Sequence, residues 1–171
     1  MSYNINVARV GMPAPDFNLY DQKLESWQLS AHRGRVVALI FYPKDETMVC
    51  TKQFCSLTSR WSDYVDTGAT IIGISPDTSK SHVRFATKHK LPLPLLSDPG
   101  RKIARQYISH WLYPLSFVRG LVVIDSEGIV RHRELVLRVF RPLDSDVIRA
   151  IRSAQFARPA VEMPSLSDKT A

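Results

Sequence analysis

An unbroken apolar run, Val36-Val37-Ala38-Leu39-Ile40-Phe41-Tyr42, ends at Pro43, and beyond a polar stretch the apolar positions recur three and four apart: Cys50, Phe54, Leu57, Trp61 and Tyr64. The run predicts a strand buried on both faces, and the spacing predicts a helix that carries Cys50 in its first turn and ends near Gly68. Upstream, Phe17 and Leu19 alternate after Pro13 and Pro15 as a short strand would, Trp27-Gln28-Leu29 reads as a second strand, and residues 30–34 as a single capped turn. Downstream, Thr70-Ile71-Ile72-Gly73-Ile74-Ser75 predicts another buried strand. A helix should open at Pro76-Asp77-Thr78-Ser79 and run to about Lys90, because Pro92 and Pro94 stop it. Leu95-Leu96-Ser97 is short and extended, and Asp98-Pro99 opens a helix through Tyr107. Residues 121–125 and 129–133, joined by Ser126-Glu127-Gly128, predict a hairpin that 135–140 extend or follow. Asp144 is expected to cap a last helix with Val147, Ile148 and Ile151 inward. Residues 1–10 read as an irregular lead-in, and those from 156 on as a loose tail, leaving one domain over 1–155 with no repeat.

The position of Cys50 has chemical consequences. A helix N-terminus presents free N–H groups and positive charge, so it favours an anion, and the thiolate is the form of cysteine that attacks. Thr47 can place a hydroxyl beside the sulfur. The one other cysteine, Cys55, follows five residues later. In an intact helix their Cα atoms stand about 8 to 9 Å apart, whereas a disulfide needs about 4.4 to 6.8 Å. Either the two never bridge, or the first turns of the helix unwind.

Pro43-x3-Thr47-x2-Cys50 resembles the active-site signature of peroxiredoxins. The Cys-x4-Cys spacing, with Cys50-Thr51-Lys52, is similar to the bacterioferritin-comigratory, or peroxiredoxin Q, branch. The opening Gly11-x2-Ala14-Pro15-x-Phe17 and the later Arg119-x4-Ile124-Asp125 match further family patterns, so the resemblance spans about residues 10 to 152. It implies an α/β, thioredoxin-like fold with a central mixed sheet flanked by helices and an N-terminal β extension. It also implies a thiol peroxidase acting on hydrogen peroxide and organic hydroperoxides. Cys50 would be the peroxidatic cysteine, with Pro43, Thr47 and Arg119 around it. Cys55 would resolve the Cys50 sulfenic acid as an intramolecular disulfide, which thioredoxin or a similar reductant would reopen. The chain departs from the pattern where a carboxylate is usual, at Gln53, and where Pro-Gly is usual, at Met48-Val49. Gln53 can accept a hydrogen bond from Arg119 without an ion pair, and the two bulkier residues narrow the pocket mouth or make it more apolar.

The remaining features change the picture less. No apolar run approaches the roughly 18 residues of a membrane span, the N-terminus lacks a secretory pattern, and two cysteines do not make a stapled scaffold. A cytoplasmic protein, monomeric or weakly dimeric, is expected. The net charge of +7 suits an acidic partner or solubility, and a nucleic-acid role is not expected. The five histidines show no metal-ligand spacing, so neither metal nor cofactor is expected. The aromatic stretch Trp111-Leu112-Tyr113-Pro114-Leu115-Ser116-Phe117 is read as loop packing in the core, with an apolar wall near Cys50 or a dimer contact as the sharper reading, and Arg131 and Arg133 as one solvated strand face. Among rivals, a disulfide reductase would carry Cys-x2-Cys, a copper-assembly factor Cys-x3-Cys, and a basic binding module would bind without Cys50.

Overall fold

A computed structural model of the chain describes residues 7–157. The strands are β1 (Asn18–Tyr20), β2 (Ser26–Gln28), β3 (Val37–Phe41), β4 (Thr70–Ser75), β5 (Leu95–Ser97), β6 (Val118–Ile124) and β7 (Val130–Leu137); the helices are α1 (Met48–Ser59), α2 (Trp61–Val65), α3 (Ser79–His89), α4 (Lys102–Ile108) and α5 (Asp144–Gln155). One sheet orders the strands β2-β1-β5-β4-β3-β6-β7. β3, β4 and β5 run parallel, β6 is antiparallel to β3, and β7 closes the hairpin with β6. The β1–β2 hairpin adds to the far edge through Tyr20 and Ser97. This mixed sheet flanked by helices, with its N-terminal β extension, is the expected thioredoxin-like α/β arrangement. The expected lead-in falls partly, and the expected tail almost wholly, outside the described residues.

The central strands are largely apolar because helices cover both faces, Arg119 on β6 being the buried exception. Leu39 and Phe41 join a core with Phe17, Trp27 and Tyr107 on one face of the sheet. Ala38, Ile40 and Tyr42 join the other, with Cys50, Phe54 and Leu57 of α1, Phe85 of α3 and Ile151 of α5. Gly73 on β4 lets α1 come close: a Cβ there would lie 2.7 Å from Leu95 and 3.2 Å from Phe54. Close helix–sheet packing, rather than a turn, is what this glycine serves.

Three local expectations are corrected. The helix expected to reach Gly68 breaks at Arg60 (φ −109°, ψ 21°) into α1 and α2. The Thr58 hydroxyl donates back to the Phe54 carbonyl and the Ser59 hydroxyl to that of Ser56, and such back-bonding bends helix ends. Asp144 does not cap α5, whose N-cap is Leu143. Its carboxylate instead accepts bonds from Ser56 Oγ and, at 2.7 Å, from the Tyr64 hydroxyl, fastening α5 to α1 and α2. Finally, Arg131 and Arg133 are half-buried and engaged: Arg131 pairs with Asp125, and Arg133 donates to the carbonyls of Tyr107 and Ser109 at 2.8 and 2.9 Å. Free carbonyls at the end of α4 attract the guanidinium, so no open basic stripe forms there.

Candidate active site

The site is assembled by two adjacent antiparallel strands. Phe41, the last residue of β3, pairs with Gly120 on β6, so the chain leaving β3 begins beside Arg119. Pro43 to Glu46 turn away, and Thr47 in extended conformation (φ −77°, ψ 148°) occupies the N-cap position of α1 without a side-chain capping bond. Cys50 is therefore the third helical residue, turned inward with Phe54 and Leu57, and is fully buried.

Arg119 is also buried, at 1% exposure, and every edge of its guanidinium is used. Nη2 donates to Cys50 Sγ at 2.8 Å, Nη1 to Gln53 Oε1 at 2.9 Å, and Nε to the Arg138 carbonyl at 3.0 Å. A planar fork held on three sides cannot swing, so its positive charge is fixed against the sulfur. Gln53 thus receives the bond that its position on α1, one turn after Cys50, made available. The sulfur meets this cation and the positive end of α1 together, an environment complementary to a negative acceptor.

A cleft of about 460 Å³ opens over the pair, lined by Pro43, Thr47, Met48, Val49, Arg119 and Arg138 among others. Cys50, fully buried, is bonded to Arg119 but is not itself among the lining residues. The cations Lys44, Arg101, Arg119 and Arg138 border the cleft with no carboxylate among them, which gives part of the net positive charge a location. Thr47 lines it too, but its hydroxyl donates to the Lys44 carbonyl at 3.4 Å rather than to the sulfur. Cys55, on the other side of α1, is exposed, and both cysteines are free thiols. The aromatic stretch packs against the core only at Leu115, whereas Trp111 is 90% exposed and does not line the cleft. Its end, the short turn Leu115–Phe117, contributes Ser116 to the rim.

Two groups near the site escaped the sequence reading. The Asp45 carboxylate, 3% exposed, accepts from the Tyr42 hydroxyl at 2.8 Å and Ser81 Oγ at 2.7 Å, and bonds His82 Nδ1 at 2.9 Å. Burial pushes its carboxyl up, but the His82 bond and charge, with the two hydroxyl bonds, outweigh burial and hold it below the usual carboxylate range. Burial and the same carboxylate push the Tyr42 hydroxyl well up. The turn before α1 is thereby anchored to α3. The signal was a histidine three residues before Phe85 on the inward face of a helix, a position otherwise apolar. Secondly, Cys55 Sγ lies 3.7 Å from His89 Nδ1, and His89 Nε2 lies 3.6 Å from Glu46. Positions so distant in sequence carry no spacing pattern.

The fold and the cysteine–arginine pair define a thioredoxin-like protein with a buried, cation-bound thiol. The AhpC/TSA family model matches residues 10–133, and the chain belongs to that family. It is 40% identical over 123 residues to the chloroplastic peroxiredoxin Q of Triticum aestivum, covering 71% of this chain and 57% of that protein. It is 42% identical over 122 residues to that of Arabidopsis thaliana, covering 71% and 56%. The chain thus spans less than three fifths of these relatives' length. Among solved structures it is similar to peroxidoxin BcpB from Mycobacterium tuberculosis, with TM-score 0.73, 26% identity, and 86% of this chain and 99% of that one covered. It is also similar to the reduced 2-Cys peroxiredoxin of Plasmodium vivax, with TM-score 0.74, 26% identity, and 84% and 80% covered.

Proposed function

We propose that the protein is a thiol peroxidase that reduces hydrogen peroxide and organic hydroperoxides. The observation that carries this reading is the bond from Arg119 Nη2 to Cys50 Sγ at 2.8 Å beneath an open cleft. The Cys50 thiolate attacks the terminal, hydrogen-bearing oxygen of ROOH; the S–O bond forms as the O–O bond breaks, and RO⁻ leaves and takes a proton. Charge grows on the leaving oxygen, and Arg119 and the free N–H groups at the start of α1 are the fixed dipoles that stabilise it. Pro43 and Thr47 shape the pocket beside them. Pro43, Met48, Val49 and Val139 give it apolar walls that suit an alkyl group.

Cys55 then attacks the Cys50 sulfenic acid and forms an intramolecular disulfide. With both cysteines on α1, the first turns of that helix must unwind, since about 8 to 9 Å between Cα atoms is too far for the bond. A thioredoxin-like dithiol reopens the disulfide by exchange, which calls for a reducing compartment such as the cytoplasm. Among the described residues no helix is long and apolar enough to cross a membrane. The whole cycle is assigned to one domain over residues 1–155, active as a monomer or weak homodimer.

The test is peroxide consumption with a thioredoxin system, comparing wild type, Cys50→Ser and Cys55→Ser. Cys50→Ser should lose all consumption. Cys55→Ser should undergo one oxidation and hold a sulfenate that a dimedone-type reagent traps. Turnover by Cys50→Ser at the wild-type rate would sink the reading.

A further inference from the structure

Cys55 is the residue that the proposed cycle uses as its second nucleophile, and a relay leads away from it: His89 of α3 touches the sulfur, Glu46 of the turn before α1 faces His89, and Lys88, also of α3, holds Glu46. His89 is in the last turn of α3, and its ring is held edge-on against the core residue Phe85, with centroids 5.1 Å apart and planes at 70°. Its Nδ1 faces Cys55 Sγ across 3.7 Å, within reach of an S–H donor. Its Nε2 is closed off from solvent and has no hydrogen-bond partner; the group facing it is Glu46 Oε2, 3.6 Å away. Glu46 belongs to the turn before α1 and sits in the left-handed region, φ +57°. Lys88 Nζ donates to the same carboxylate oxygen at 2.9 Å. The bond from Lys88, with smaller contributions from His89, keeps the Glu46 carboxyl below its usual range.

A carboxylate beside a water-excluded Nε2 favours the proton on that nitrogen, which leaves Nδ1 with its lone pair toward the cysteine. We propose that His89 is the general base that activates Cys55 for disulfide formation, with Glu46 as its positioning residue. This rests on the reading of Cys55 as the resolving cysteine. Nδ1 takes the Cys55 thiol proton; the thiolate attacks Cys50 sulfur, so the S–S bond forms as the S–O bond of the sulfenic acid breaks. The departing hydroxide takes a proton back from the ring and leaves as water. Cys50, not Cys55, does the travelling: Cys55 stays in register with His89 while the first turn of α1 opens. The charged groups facing the ring are Glu46 from the preceding turn and, through that carboxylate, Lys88; Cys55 faces it from α1 and the uncharged Phe85 from its own helix.

The test is a single-turnover experiment on full-length protein, following oxidation and resolution as separate phases after one equivalent of hydrogen peroxide. His89→Asn keeps a polar atom near the Nδ1 position but cannot accept a proton. It should oxidise at the wild-type rate, then resolve about 100-fold more slowly near pH 7, the lower range for a lost general base. A Cys50 sulfenate should persist and be trapped by dimedone. Above about pH 9, where an ordinary thiol ionises unaided, most of that deficit should vanish. Glu46→Gln should slow the same phase to a lesser degree and leave oxidation alone. Resolution by His89→Asn within about threefold of wild type overturns the proposal, because the helix opening alone would then set the rate. A deficit as large at pH 9.5 as at pH 7 also overturns it, since a packing defect is blind to thiol ionisation. Should Cys55→Ser resolve as fast as wild type, the resolving role itself falls, a failure separable from a normal wild type with an unaffected His89→Asn.

Discussion

Replacing Arg119 with methionine isolates the contribution of the guanidinium. The side chain is 1% exposed and makes three bonds, to Cys50 Sγ, Gln53 Oε1 and the Arg138 carbonyl. Methionine fills comparable length but donates nothing. The buried Gln53 oxygen loses its donor, at about 1–3 kcal/mol, while the part-buried Arg138 carbonyl can turn to water. The variant should therefore be about 1–3 kcal/mol less stable, within what a domain stable by about 5–15 kcal/mol survives. Kinetically, loss of a preorganised donor aimed at developing charge costs about 100- to 1,000-fold. Stopped-flow fluorescence of the oxidation phase should show that loss, with circular dichroism confirming a folded sample. Arg119→Lys is the informative companion: it keeps the charge but can satisfy only part of the fork, so its rate should fall between the two. Gln53→Leu, which frees Nη1 and lets the guanidinium tilt, should slow oxidation less than either. A folded Arg119→Met that oxidises within about threefold of wild type would refute the electrostatic argument.

Other expectations follow from the surroundings. Asp45→Asn disturbs a buried carboxylate that accepts from the Tyr42 and Ser81 hydroxyls and bonds His82, and should cost about 1–3 kcal/mol at pH 7, measured by denaturant unfolding. The folded carboxyl lies below its ordinary value of about 3.9. Its contribution is therefore complete above that pH and is lost as pH falls through the depressed folded value, so wild type and variant should converge below about pH 4. Gly73→Ala drives a methyl against Leu95 and Phe54 and should destabilise by about 1–3 kcal/mol, with increased exchange of α1 amides. Trp111→Ala, at an exposed position away from the cleft, should leave stability within about 0.5 kcal/mol. The rate ratio between hydrogen peroxide and a bulky alkyl hydroperoxide should also stay unchanged in that variant.

Much of this architecture is written in local patterns. Val36 to Tyr42 and Thr70 to Ser75 are apolar without interruption because both faces of their sheet are covered, and that is visible in one dimension. Arg119 could be placed beside Cys50 only through the family pattern, since nothing local says that the ends of β3 and β6 are neighbours. The break at Arg60 was hidden because the three-and-four spacing continues through Trp61 and Tyr64 while Thr58 and Ser59 redirect the hydrogen bonding. Asp144 sits at a helix start, where capping is the usual reading, yet partners 80 and 88 residues away claim its carboxylate. Trp111 went the other way: an aromatic cluster suggests burial by composition, but it lies between Pro114 and the end of α4, on a loop outside both cores. The Asp45–His82 and Glu46–His89 contacts depend on how α3 lies against the turn before α1, a matter of tertiary geometry alone.

Cys50 is counted among the same packed side chains as Phe54, Leu57 and Phe85. If each cycle draws this sulfur out toward Cys55, part of the hydrophobic interior must come apart and reassemble at every turnover. Thermal hardening of α1 and catalytic speed are then opposed quantities. Variants selected for heat resistance in that helix should dwell longer as sulfenate and be more readily overoxidised, whereas hardening the β1–β2 edge should carry no such penalty.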